Sequence, residues 1–204
     1  SPCNYSRLNN NAVHQSKADL ICLLNNDIEI ISPAWLQEMA GYAIRPDIGC
    51  VGSRLWYPNN TLQHGGVIVG LGGVAGHSHK HLPKNDAGYM GRAVVPQALS
   101  AVTAACLMIK RTIYMQVNGL DEDLRVAFND VDFCLRVRDA GYRNVWTPFA
   151  EMYHHESASR GSDMDGAKRA HFDGEVALVM SRWSAVIEAD PAYNPNLAAT
   201  GNTF

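Results

Sequence analysis

The chain lacks most of the features that would assign it quickly. Its five cysteines (Cys3, Cys22, Cys50, Cys106 and Cys134) are odd in number, scattered and never spaced as CxxC, which implies neither a disulfide framework nor a cysteine-based zinc site. Cys22, Cys106 and Cys134 sit inside apolar runs, where buried free thiols are expected. Basic residues are not in excess: Lys plus Arg number 17 against 20 Asp plus Glu, a formal net charge of −3. A general electrostatic grip on nucleic acid would need a basic face, so that class of partner is excluded. No apolar run approaches the ~18 residues of a membrane span, and the first residues carry no signal-peptide pattern. There is no GxSxG elbow, Walker loop or HExxH helix. GLGGVAG has close glycines but no strand-to-helix setting for a phosphate cradle. These absences point to a reduced, cytosolic protein.

What is present is an ordinary globular composition, 47% hydrophobic and 18% charged, over 204 residues. That length can bury a full core. Without repeats or linkers, one domain over residues 1–204 is expected, with residues 162–204 as a helical tail and strap. Ser6 reads as the N-cap of a first helix with Leu8, Ala12 and Val13 on its apolar stripe. DLICLL is a continuous apolar run, the pattern of a strand buried on both faces of a parallel sheet. Ser32-Pro33 reads as N-cap and N1 of a second helix with Trp35, Leu36, Met39 and Ile44 inward. Between Gly70 and Arg92 a Gly-rich stretch with little periodicity reads as a long loop over the site. SAVTAACLMIK is a further buried strand, followed by a short helix closed by Asn118-Gly119. From Asn129 or Asp130 a helix runs to Ala140 with Gly141 as its stop, leading to VWTPFAEMYHH, a strand ending in His154 and His155.

Four constellations can carry chemistry. Asn25, Asn26, Asp27 and Glu29 concentrate oxygen ligands at a strand end, and Asn25 and Asp27, two apart, face one way in extended backbone. An isolated Asp there is a turn residue; in this company it suits a hard divalent cation that keeps waters and phosphate oxygens. Asp130 and Asp132 lie in a first helical turn, where the macrodipole alone accounts for one carboxylate. Asp132 is assigned to helix-end support and Asp130 to a general base that removes a proton from an acceptor hydroxyl. His154 and His155 are adjacent and face opposite sides of a strand, so one of them can enter a site as a metal ligand. His77, His79 and His81 alternate, and in an extended loop all three share a face. That arrangement permits a zinc metallohydrolase, although acceptor-side or lid-loop histidines are the preferred reading.

LLNNDIEI, AVTAACLMIKR and NGLDEDLRVAFNDVDFCLRVRDAGYRNVWTPFAEMYHHESASRG, in that order, resemble the family 2 glycosyltransferases of GT-A fold. The subgroup most similar assembles O-antigen and other surface polysaccharides, and the likeness runs from Asn4 to about Leu197. It implies an α/β fold with a GT-A-like mixed, mostly parallel sheet flanked by helices. That fold would be incomplete at the N-terminus, because the family's nucleotide-binding βαβ half has no counterpart before Ser1. It implies an inverting, metal-dependent transfer of a sugar from a nucleotide-sugar to an acceptor hydroxyl, with Mn2+ or Mg2+ as cofactor. The family's DxD-type triplet falls on Asn25-Asn26-Asp27, its acceptor-side acidic pair on Asn129-Asp130, and its late metal-ligating histidine on His154. Asn129, Asp132 and His155 are then supporting residues. The partners implied are a nucleotide-sugar donor and a glycan or lipid-linked acceptor, with peripheral association of the full-length protein at the inner face of the membrane. An uncovered sheet edge would also favour self-association. The Asn at positions 25 and 129 keeps open a different class, a non-catalytic carbohydrate-binding or scaffolding module of the same fold.

Overall fold

A computed structural model describes residues 4–155 and 166–197. Cys3, Gly161 and the first residues of the expected tail from 162 lie outside them. The chain runs α1 (Tyr5–Gln15), β1 (Leu20–Leu24), β2 (Ile28–Ile30), α2 (Trp35–Ala43), β3 (Ile48–Trp56), β4 (Leu62–His64), β5 (Val67–Val69) and β6 (Ala75–His77). A 3-10 segment (Tyr89–Val94) follows, then β7 (Gln97–Leu99), β8 (Cys106–Lys110), α3 (Arg111–Gln116), α4 (Asn129–Asp139), β9 (Arg143–His154) and α5 (Gly166–Glu188).

Seven strands form one mixed sheet with the spine β1-β8-β3-β9-β2; β4 adds to β3 and β7 to β9. The class is α/β and the sheet mixed, as expected, but the expected majority of parallel pairs is corrected. Among the described residues β3·β9 is the one parallel pair of this sheet, and the others are antiparallel. An apolar run carries no information about the direction of its neighbour. β1 is also not buried on both faces: Ile21 and Leu23 are buried, Leu20 and Cys22 half-buried, and Leu24 exposed. It ends the spine and pairs on one side, with β8. By contrast β3 is buried at every position, as a central strand must be.

Helices cover both faces. Met39 and Ala43 of α2 pack with Ile48, Val51, Leu55 and Met152 on one side. On the other, Val13, Ile113, Tyr114 and the α4 residues Phe133, Leu135 and Val137 pack with Cys50, Leu107 and Trp146. Gly49 lets α4 approach β3 closely, since a Cβ there would lie 2.3 Å from Val137 Cγ1. Gly141 closes α4 at φ +96°, a conformation that L side chains rarely adopt.

Both predicted N-caps move. Asn4, not Ser6, caps α1 by accepting the Arg7 N–H (3.0 Å), while Ser6 is buried and donates to the Leu124 carbonyl (2.6 Å). α2 begins at Trp35 without a side-chain cap, and Ser32 Oγ instead accepts the Glu151 N–H (3.1 Å). Each hydroxyl is taken by a partner more than 100 residues away in sequence, which local pattern cannot reveal. Leu36 and Ile44 are exposed on the outer face of α2. The Gly70–Arg92 stretch is partly ordered by pairing, since β5 and β6 form an antiparallel hairpin.

Candidate active site

Asn25 extends β1 by donating its N–H to the Ala105 carbonyl (2.9 Å), and Asn26-Asp27 then turn the chain into β2. β2 pairs antiparallel with the end of β9, placing Ile28 opposite His154, and the His155 N–H bonds the Asp27 carbonyl (3.0 Å). Strand register thus sets His154 beside the Asn-Asn-Asp turn, although 127 positions (154 − 27) separate it from Asp27.

The side-chain bonds of the His154 imidazole match its Nδ1–H tautomer. Its Nδ1–H donates to Gln63 Oε1 (2.7 Å), so Nε2 presents its lone pair to the Asn25 amide nitrogen (3.3 Å) and to Asp27 Oδ1 (3.1 Å). Asp27 Oδ1 is buried and has no hydrogen-bond donor. A carboxylate oxygen facing an imidazole lone pair repels it unless a proton or a cation lies between them. Two adjacent ligands at about 2.1 Å on an octahedral cation stand about 3 Å apart, which is this spacing. Asp27 and His154 therefore fit a divalent cation. Among the described residues no group of three or more His, Cys, Asp or Glu is placed to hold a metal ion. The protein would supply this pair, and ligand oxygens the rest.

A cavity of about 700 Å³ opens onto this pair. Asn25, Asn26, Asp27, Gln63, His77 and His154 line one part of it, and Tyr5, Val126, Phe128, Asn129 and Asp130 another. Asp130 sits in the first turn of α4, where Oδ2 accepts the Ala104 N–H (3.0 Å) and Oδ1 the Val131 N–H (2.9 Å). The first of these bonds orients the carboxylate from the segment before β8, and the second from α4 itself. The Tyr5 hydroxyl donates to the Ala104 carbonyl (3.1 Å), and burial, then the charge of Asp130, pushes its ionisation above the usual tyrosine range.

The remaining candidates fall elsewhere. Asp132 is fully buried and faces away from the cavity, bonded to Arg136 (2.8 Å), Arg182 (2.6 Å) and Trp183 (2.9 Å). His155 makes an exposed pair with Glu29 (2.9 Å). The histidine triple is taken apart, which removes the zinc hydrolase. His79 (φ +57°) and His81 (φ +68°) are not extended, so alternate positions do not share a face. His79 is buried against Ser78 Oγ (2.6 Å), with burial pulling its pKa down to about 4, and His81 stacks on Tyr57. Only His77 of the three reaches the cavity.

Two residues escaped the sequence reading. Gln63 orients His154, and His64 is fully buried between the Thr103 N–H (3.4 Å) and His77 Nδ1 (2.8 Å). With Nε2 accepting from Thr103, the His64 Nδ1–H donates to His77. Burial, then the neighbouring His77 and His154, holds His64 neutral well below the usual imidazole range. The available signal was a polar Gln-His pair inside a short run ending at Gly65-Gly66.

No family profile matches the chain. Over all 204 residues it is 56% identical to the uncharacterized protein y4gI of Sinorhizobium fredii, covering 22% of that protein. Over 202 residues, 98% of the chain, it is 36% identical to the O-antigen biosynthesis protein RfbC of Myxococcus xanthus, covering 15% of it. The chain thus spans under a quarter of the length of these curated relatives. In structure it is similar to the mannosyltransferase PcManGT from Pyrobaculum calidifontis, solved in complex with GDP-Man and Mn2+. The TM-score is 0.55 at 14% identity, over 95% of this chain and 47% of that one.

Proposed function

We propose that this chain, which has the fold of the GT-A glycosyltransferases and is related along its length to an O-antigen biosynthesis protein, forms the cation and acceptor side of a glycosyltransferase active site. The reaction is transfer of a sugar from a nucleotide-sugar to an acceptor hydroxyl with inversion, in surface-polysaccharide assembly. One observation carries the reading: the donorless Asp27 Oδ1 faces the lone pair of His154, and Asp130 opens onto the same cavity.

Each residue then has a part. Asp27 and His154 hold a Mn2+ or Mg2+ ion, with Gln63 fixing the imidazole that binds it. When bound, that ion neutralises charge growing on the departing diphosphate. Asn25 and Asn26 offer amides to diphosphate oxygens, and His77 contributes to the wall where a ligand would lie. Asp130, oriented by the Ala104 N–H, takes the proton from the acceptor hydroxyl. A second carboxylate at position 129 is not needed for this chemistry.

Among the described residues no helix is long and apolar enough to cross a membrane. The test is a screen of the full-length protein against nucleotide-sugars with Mn2+, scored by nucleoside diphosphate release on adding glycan or lipid-linked acceptors. Acceptor-dependent release by the wild type and none by Asp130→Asn supports the reading. Equal release by both removes Asp130 as base.

A further inference from the structure

Asp130 stands at a helix start that is poorly held by its own sequence. Phe128, the N-cap of α4, is left-handed (φ +57°, ψ +8°) and makes no side-chain capping bond. A bulky aromatic there is strained, and such a conformation persists where surrounding contacts over-determine it. α1 supplies some of them, the Tyr5 N–H to the Arg125 carbonyl (3.1 Å) among them, and α5, none of whose described residues lines the cavity, supplies more.

Glu175 of α5 is 3% exposed, and both its oxygens are used on three consecutive peptides. Oε1 accepts the N–H of Arg125 (2.6 Å) and Val126 (3.0 Å), and Oε2 that of Ala127 (2.9 Å). The next residue is Phe128, whose ring packs 5.8 Å from that of Phe172, one turn before Glu175. Two turns further along α5, Arg182 and Trp183 bond Asp132. Beside Glu175 stands His171, its Nε2 3.4 Å from Oε1 and its ring partly exposed. A buried carboxylate would more often face an arginine; this one is matched instead to a run of backbone donors.

We propose that Glu175 is a positioning residue for the reaction. It clamps residues 125–127, forces the left-handed turn at Phe128, and so fixes the angle at which Asp130 meets the acceptor hydroxyl. This rests on Asp130 being the base. A displacement of about 1 Å in a reacting group can cost 100-fold in rate, and Glu175 acts on turnover by that route without touching substrate.

The experiment uses the full-length protein and three variants. Glu175→Gln keeps the size but turns an amide NH2 toward the backbone donors. Phe172→Leu weakens the same clamp more gently, and Asp190→Asn is a stability control. Asp190 is buried and holds the Val69 N–H (2.8 Å) and Ser100, whose hydroxyl meets α4 at Arg138 (2.9 Å), the end of the helix far from Asp130. Measured well below the melting temperature, Glu175→Gln should lower kcat roughly 10- to 100-fold and leave the donor KM within about twofold. Phe172→Leu should show the same split at smaller size, and Asp190→Asn should lower the melting temperature with kcat unchanged. Wild-type kcat in Glu175→Gln, or in Phe172→Leu should the former not fold, overturns the proposal and leaves Asp130 as base. A wild type that turns over no donor overturns the glycosyl-transfer reading instead. The clamp is then judged by amide hydrogen exchange, which Glu175→Gln should accelerate at least about tenfold over residues 125–131 relative to β9. Equal acceleration in both segments shows general loosening and overturns it.

Discussion

The wall proposed to hold a cation and the wall proposed to carry the base, called below the cation wall and the base wall, are built in different ways. Asp27 and His154 meet because β2 pairs with β9 in a register that sets Ile28 against His154, with Gln63 from β4 behind the imidazole. Sheet pairing extends to the reacting atoms there, and a sheet position tolerates little drift. Asp130 stands one residue beyond Asn129, the first residue of an α4 with no side-chain cap, and its orientation depends on the Ala104 amide and on α5. The cation wall is set by strand pairing at the site itself, whereas the base wall is held partly from a helix that does not line the cavity. Damage far from the cavity should therefore reach the base before it reaches the cation.

The largest effect is expected at Asp130. Asp130→Asn retains an acceptor for the Ala104 N–H, so turnover should fall about 10³-fold with donor binding nearly intact, measured by steady-state kinetics and nucleotide titration. On the cation wall, Asp27→Ala or His154→Ala should weaken Mn2+ binding by about 100-fold or more and abolish metal-dependent thermal protection by a nucleoside diphosphate. Gln63→Leu frees the imidazole without removing it. It should cost about 10- to 100-fold in Mn2+ affinity, read by isothermal titration, and leave the melting temperature of the metal-free protein little changed.

Two smaller effects address stability. Asp132→Asn removes the buried charge that joins Arg136, Arg182 and Trp183, and should cost about 2 kcal/mol by urea unfolding, the partners being partly exposed. His64 and His79 are buried neutral, with pKa values depressed below 6.5, so the unfolded chain binds their protons more readily. Their contribution is fully present above pH 6.5 and is lost as pH falls, through about 4 for His79. The urea midpoint should drop over that window, and His79→Gln should flatten the slope.

The same division governs how much could be read in advance. Helix α4 was legible because carboxylates in its first turn, Gly141 at its end and an inward apolar set all agree. The Asn25-Asn26-Asp27 turn was legible because an apolar run stops there abruptly. The histidine triple misled, because alternate spacing implies one face only in extended backbone and positive φ at His79 and His81 breaks that premise. Partner identity was illegible throughout. Nothing local to Gln63 names His154, nothing local to Glu175 names residues 125–127, and an apolar strand does not state whether its neighbour runs parallel.

Asp27 and His154 are proposed to hold a divalent cation in the cavity onto which Asp130 opens. Mn2+ titrated into the full-length protein, with histidine ring signals followed by NMR, tests it most directly. Paramagnetic broadening should strike His154 first and leave His79 and His81 sharp, and Asp27→Ala should abolish it at the same Mn2+ concentration. Broadening led by His79 or His81, or broadening of His154 that persists without the Asp27 carboxylate, would contradict the account.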